Sequence, residues 1–340
     1  LGPAGTISRL FPAFSRSSKT DRVALLRTAM GWRRAGFACA PETTVAALCR
    51  ALPPRLLAEF IEPLCVAALN TPIAEASGPV FLRVLHDALL GGRGHSNLLL
   101  PRVDLGALFP HAAARWLAQR GAAVRTGQRI DALHWQAPHW RVGQQDFDRV
   151  IWATSAFNAV PALVQSAQAA PNVVASDMLA WSTTAAGLTH RAITTVYAQA
   201  AATPASDRLL PAPMLALRSG PKAPAQFVFD RDAITRPADP TGLLAFVVSD
   251  SGGERAALEA AVVMQARREL GLAVRPLLTI TERRATFACT AGLQRPPAAI
   301  APALLACGDF IVGPYPATLE GAVRSGIDAV RAATAPPALG

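Results

Sequence analysis

The chain has 340 residues, 51% of them hydrophobic and 16% charged, with a mean hydropathy of +0.27. That length supports a large core and two domains. No window reaches the roughly 18 consecutive apolar residues of a spanning helix, so the apolar excess belongs to a core, a cavity or a membrane-facing patch.

The formal net charge of +10 is uneven. Residues 1–37 hold seven basic residues (Arg9, Arg16, Lys19, Arg22, Arg27, Arg33, Arg34) against Asp21, a local +6. Leu10, Phe11, Phe14, Val23, Leu26, Met30, Trp32 and Phe37 are interleaved with them. This mixture fits an anionic membrane surface better than nucleic acid, although a solvated helix with one face packed on its own core accounts for it too. Within it, "TDRVALLRTAM" opens on capping residues and sets Val23, Leu26 and Met30 on one helical face.

Residues 20–90 read as helical. "PETTVAALCRAL" and "PPRLLAEFIEPLCVAALN" each carry proline near the start, where a helix tolerates it. "GPVFLRVLHDALLGG" stops at a glycine pair. A helix from Leu108 to Arg120 then ends at Gly121, and "AAVRTGQRIDALHW", "HWRVGQQ" and "FDRVIWAT" read as strands. "DRVIWATS" is apolar without alternation, the pattern of a buried parallel strand. Between 190 and 250, "RAITTVYAQ", "MLALRSG", "AQFVFDR" and "LLAFVVSD" predict an antiparallel sheet. "GGERAALEAAVVMQARRELG" predicts a helix ending at Gly271, and "LLTITERRATFAC" a further strand.

The five cysteines, Cys39, Cys49, Cys65, Cys289 and Cys307, form no CxxC pair. They read as reduced thiols of a cytoplasmic protein. No signal-peptide pattern stands at the N-terminus, and a first residue of Leu suggests a chain cut from something longer. His134 and His139 flank a turn beside Trp135 and Trp140, which reads as a decorated hairpin rather than a metal site.

The chemical signal is strongest in "GDFIVGPYPATLEGAVRSG". An apolar strand ends at Gly308-Asp309, and a helix begins near Thr318 with Leu319, Val323, Ile327 and Val330 as its expected buried stripe. The carboxylate can accept hydrogen bonds from ligand hydroxyls. The helix N-terminus offers N–H groups and the positive dipole end, and Ala317, Gly321 and Ala322 leave room for a flat ligand. A strand–turn–helix with an ordinary turn aspartate fits the same spacing.

"GPYPATLEGAVRSG" resembles the second flavin-binding signature of the FAD-dependent amine oxidase and phytoene desaturase superfamily. Together with "EPLCVAALNTP", "LLLPRVDLGALFPHAAARWLAQRGA", "AQFVFDR" and "ERRATFAC", it resembles the bacterial hydroxysqualene dehydroxylases of hopanoid biosynthesis, the squalene-associated FAD-dependent desaturases. The resemblance runs over nearly the whole chain. It implies an α/β fold in which a Rossmann-like FAD-binding domain is interleaved with an α+β substrate domain carrying an antiparallel sheet. The flavin domain is expected at 98–165 and 280–334. The substrate domain is expected at 1–97, helical, and 175–279, β-rich. Such enzymes open with a strand–GxGxxG–helix that holds the FAD pyrophosphate. The sequence contains no GxGxxG, and "GGRGHS" follows a helix, so the chain is expected to lack roughly a hundred residues, to hold FAD poorly by itself and to be inactive.

The resemblance also implies residue roles. Gly308 and Asp309 meet the ribityl chain, Thr318 and Leu319 present backbone N–H groups to the flavin pyrimidine edge, Ile130 lies near the adenine and Thr154 beside the dinucleotide. Cys65, Asn70 and Phe287 are candidates for a substrate cavity; core packing accounts for Cys65 as well, and a core aromatic on a strand accounts for Phe287. The acid that assists water loss is unassigned, with Glu62 the weak candidate. The implied reaction removes the hydroxyl of hydroxysqualene reductively to give squalene, with FAD as the cofactor. From the residues themselves no metal and no nucleic acid are expected, and the basic, apolar segment 1–37 is expected to hold the protein peripherally on the inner face of the cell membrane. A carotenoid desaturase or another polyprenoid desaturase, an amine oxidase, and a non-catalytic membrane-surface remnant are the alternatives.

Overall fold

The computed structural model describes residues 18–90, 92, 94, 95, 97–200 and 209–335. Helix α1, Lys19–Arg34, starts in a reciprocal cap: Ser18 Oγ accepts from the Asp21 N–H, and the Asp21 carboxylate accepts from the Ser18 N–H. Pro54–Leu56 and a π-helical turn, Leu57–Ile61, lead into α2, Glu62–Leu69. Helix α3, Gly78–Leu85, is capped by Ser77, and α4, Pro110–Gln119, follows the short helix Leu105–Leu108. Strands β1 (His134–Gln136), β2 (His139–Val142), β3 (Gln145–Phe147) and β4 (Val150–Trp152) precede helices α5 (Ala156–Ala167) and α6 (Asn172–Ala186). Next come β5 (His190–Ala200), β6 (Met214–Ala216), β7 (Phe227–Asp230) and β8 (Leu243–Ser249). Helix α7, Arg255–Leu270, ends where Gly271 turns left-handed at φ +69°. Strands β9 (Val274–Phe287), β10 (Ala299–Ala301) and β11 (Leu304–Ala306) lead to α8, Leu319–Thr334.

The chain divides into two compact units, Leu1–Arg125 with Arg191–Thr286, and Thr126–His190 with Phe287–Gly340. Residues 98–125 and 280–286, expected in the flavin domain, group with the first unit, and 175–190, expected in the substrate domain, with the second.

The first unit is built on a five-stranded sheet in the order β6-β7-β8-β5-β9. Val196, Val228, Leu244, Phe246 and Val248 pack from one face of it against Val262 and Ala266 of α7. Gln265, fully buried on α7, accepts from the Ala225 N–H and donates to the carbonyls of Ala225 and Arg218, so its amide costs little to bury. On the opposite face the register aligns two rows, Met214–Phe229–Ala245–Tyr197 and Ala216–Phe227–Val247–Thr195. Neither row contains a charged residue, and apart from the buried Ala245 their members are half-buried.

In the second unit β1, β2 and β3 form an antiparallel meander, and a small sheet runs β10-β11-β4 with β11 and β4 parallel. Trp140 is fully buried and donates through Nε1 to the Pro302 carbonyl at 2.8 Å. The expected strand through 122–133 contracts to β1, because residues 122–131 lie exposed outside any ladder. Helices α5 and α6, for which sequence reading named no element, pack on each other despite Pro161 inside α5. The stripe expected to be buried on α8 is instead open: Leu319 is 74% exposed and Val323 54%, with Ile327 and Val330 similar. Ala329 is the helix's buried residue; this unit's described residues pack against α8 on its small-residue side.

Candidate functional site

The two parallel strands of the second unit set the site's geometry. Ala306 of β11 pairs with Trp152 of β4, and the Cys307 N–H reaches the Trp152 carbonyl at 3.0 Å. Thr154 and Gly308, each two residues further on, therefore leave the sheet at the same carboxyl edge, the edge where open α/β sheets bind ligands. The Thr154 hydroxyl accepts from Trp152 Nε1 at 2.6 Å and donates to the Ser155 carbonyl.

Gly308 is required by crowding. A Cβ there would lie 2.5 Å from the Phe310 ring. Its N–H donates to Ser325 Oγ of α8 at 2.7 Å, and Ser325 Oγ donates back to its carbonyl at 2.9 Å. Strand end and helix are thereby bolted together.

Asp309 follows, with its carbonyl taking the Ala317 N–H. Burial raises its carboxyl above the ordinary range; the backbone N–H groups of Asp309 and Phe310 and the nearby His190 and Arg295 act the other way. The carboxylate is thus short of water.

The loop from Phe310 to Ala317 is held at several points. Arg295 donates to the carbonyls of Ile311 (2.8 Å) and Gly313, while the Val312 N–H reaches the Pro296 carbonyl. Burial lowers the Arg295 pKa, against the opposing pull of Cys289 and Asp309, and pushes the Cys289 thiol up to about 12. Trp181 donates to the Pro297 carbonyl and meets Phe310 edge to face at 6.2 Å. The loop enters α8 through Ala317, left-handed at φ +55°, and Thr318, whose Oγ1 accepts from the Gly321 N–H and donates to the Tyr315 carbonyl. At Gly321 a Cβ would sit 2.0 Å from the Tyr315 carbonyl oxygen, so only glycine lets the loop lie this close to the first turn. The N–H groups of Leu319 and Glu320 precede the first intrahelical acceptor and point out of the helix end.

Gly308, Asp309, Thr318 and Leu319 thus lie on one strand–loop–helix, with Thr154 at the same sheet edge. Ile130 stands apart on an exposed irregular segment, and Phe287 is buried at the end of β9. The remaining candidates belong to the first unit. Glu62 is half-buried in the first turn of α2, and Cys65 is fully buried with Sγ 3.5 Å from the Thr71 carbonyl. Asn70 closes α2 in the left-handed conformation. Its amide donates to Thr286 Oγ1 and the Arg191 carbonyl and accepts from the Asp250 N–H, which gives it the work of tying the helical segment to the sheet. The His134/His139 turn joins β1 to β2, with Trp135 opposite Trp140. Among the described residues no group of three or more His, Cys, Asp or Glu is placed to hold a metal. Arg295 and Ser325 were missed by sequence reading; their only signals were an arginine before a Pro-Pro pair and a serine nearly two turns inside the helix.

No family model and no curated protein matches the chain. Solved structures do. An oxidoreductase from Methanosarcina mazei superposes with a TM-score of 0.68 at 15% identity, over 93% of this chain and 74% of that one. The chain shares its fold. A putrescine oxidase with putrescine bound superposes at 0.61 (14% identity, 93% of this chain, 76% of that one). Cyclohexylamine oxidase from Brevibacterium oxydans superposes at 0.56 (14% identity, 86% and 67%). At these identities the likeness establishes the α/β fold.

Proposed function

We propose that the chain is the larger part of an FAD-dependent oxidoreductase acting on a polyprenoid, and that its reaction is the reductive dehydroxylation of hydroxysqualene to squalene. The observation that carries the flavin reading is the β11–Asp309–loop–α8 assembly at the carboxyl edge of a parallel strand pair. Its residues fit one half of a dinucleotide. The water-poor Asp309 carboxylate gains by accepting from ribityl hydroxyls. The first turn of α8 favours negative charge on the flavin pyrimidine edge, and Gly308 and Gly321 keep the backbone close-packed around both. When bound, the flavin supplies the hydride chemistry. Ile130 and Thr154 are proposed for the adenine side, and a GxGxxG unit, which this sequence does not contain, for the pyrophosphate. The flavin domain is proposed around the second unit and the substrate domain around the first.

The substrate class rests on the uncharged rows of the five-stranded sheet. Phe227, Phe229, Met214 and Val247 offer an apolar wall suited to a hydrocarbon chain, which favours a polyprenoid over the polar amine of an amine oxidase. A carotenoid-type desaturase uses the same wall and is the second reading. Glu62 remains the candidate acid for water loss.

The test is turnover by the chain carrying whatever in-frame sequence is encoded upstream of Leu1. Supplied with FAD and a chemical reductant, it is expected to convert hydroxysqualene to squalene, read by mass spectrometry. Oxidation of putrescine in air, or of phytoene with a quinone acceptor, with hydroxysqualene untouched under the reducing condition, refutes the substrate assignment.

A further inference from the structure

The outward face of α1 takes no part in the fold contacts or the candidate site above. Lys19, Val23, Leu26, Met30 and Arg33 are spaced four, three, four and three residues apart, so they share one line along the helix. Val23, Leu26 and Met30 are 47, 60 and 41% exposed, and Lys19, Arg27, Arg33 and Arg34 are exposed around them. Ala24, Leu25, Ala29 and the buried Trp32 form the inward face, and Phe37, stacked edge-on against His86 at 5.2 Å, fixes the segment just beyond the helix. The helix therefore buries Trp32 but leaves Val23, Leu26 and Met30, three of its larger apolar side chains, facing outward. Asp21, its one acid, is occupied by the Ser18 cap, and among the described residues none of Lys19, Arg27, Arg33 and Arg34 forms an ion pair.

We propose that this face of α1 docks on an anionic lipid bilayer, lying in the interface with Val23, Leu26 and Met30 among the acyl chains and the basic residues on the headgroups. Charge complementarity selects this occupant. A second copy would bring the same cations face to face, and a nucleic-acid backbone would leave the apolar line unused. Sixteen residues span about 24 Å, short of the roughly 30 Å hydrocarbon layer, so the helix lies along the surface. The proposal stands on α1 and survives or fails independently of the flavin reading. Residues 1–17, which extend the basic segment in sequence, lie outside the described residues.

The experiment is co-sedimentation of the full chain with phosphatidylcholine vesicles, with and without phosphatidylglycerol, at low and high salt. Binding is expected only with the anionic lipid, weakened by salt. Arg27→Gln/Arg33→Gln/Arg34→Gln should lower it about tenfold or more, and Leu26→Ser/Met30→Ser should remove the salt-resistant fraction, with circular dichroism unchanged in both. Equal binding to neutral and anionic vesicles overturns the proposal. So does binding untouched by either variant, retention on nucleic acid without vesicle binding, or a change of oligomeric state as the sole effect of the serine variant.

Discussion

Asp309 carries a carboxyl that folding buries and that the proposed flavin site would use in its ionised form. Burial raises its carboxyl above the ordinary 3.8, so between that value and the raised one the folded chain holds more proton than the unfolded chain. Stability falls as pH rises through this window, and at neutral pH the ionised group is a net cost. Asp309→Asn is therefore expected to raise the melting temperature of the flavin-free protein at pH 7, with the gain vanishing on acidification below the ordinary carboxylate range. A calorimetric melt across pH checks both limbs. Gly321→Ala drives a methyl into the Tyr315 carbonyl and should cost about 1–3 kcal/mol by overpacking, read by urea denaturation. The strand–turn–helix through Gly308, Asp309 and Thr318 was legible because a glycine, a carboxylate and a capping threonine have distinctive spacing, but Gly321, read as room for a flat ligand, instead makes room for the Tyr315 carbonyl. Arg295 and Ser325 were not legible, because their partners are backbone groups 16 to 18 residues away.

At the level of elements, the β-rich segment 190–250 could be read because each strand alternates or runs apolar between turn residues. The structure keeps all four as β5 to β8. Phe246, fully buried at the contact between β8 and α7, should cost about 3–5 kcal/mol when cut to alanine, measurable by the same denaturation. Helices α5 and α6 were illegible for a physical reason: their Ala-rich faces have little contrast, and Pro161 sits inside α5. The stripe on α8 is the reverse case. Its period was read correctly, but periodicity reports which residues share a face and is silent on what covers that face. Thr318→Ala should remove the cap of α8 and cost about 1 kcal/mol, visible as a lower melting temperature.

Across the whole molecule, changes of texture along the chain, from helical to mixed to β-rich, made the element types legible, while the interleaving of two units was implied by the family resemblance. The boundaries were not legible, because the assignment of 98–125 depends on tertiary neighbours rather than on local pattern. The flavin reading turns on the proposal that the β11–Asp309–α8 assembly holds the flavin. Titration of FAD into the upstream-extended protein, stripped of flavin, tests it most directly. The account predicts stoichiometric binding that Asp309→Ala weakens by about 1–3 kcal/mol, with the variant still folded. An affinity unchanged by Asp309→Ala, or no binding by the wild type, would contradict it.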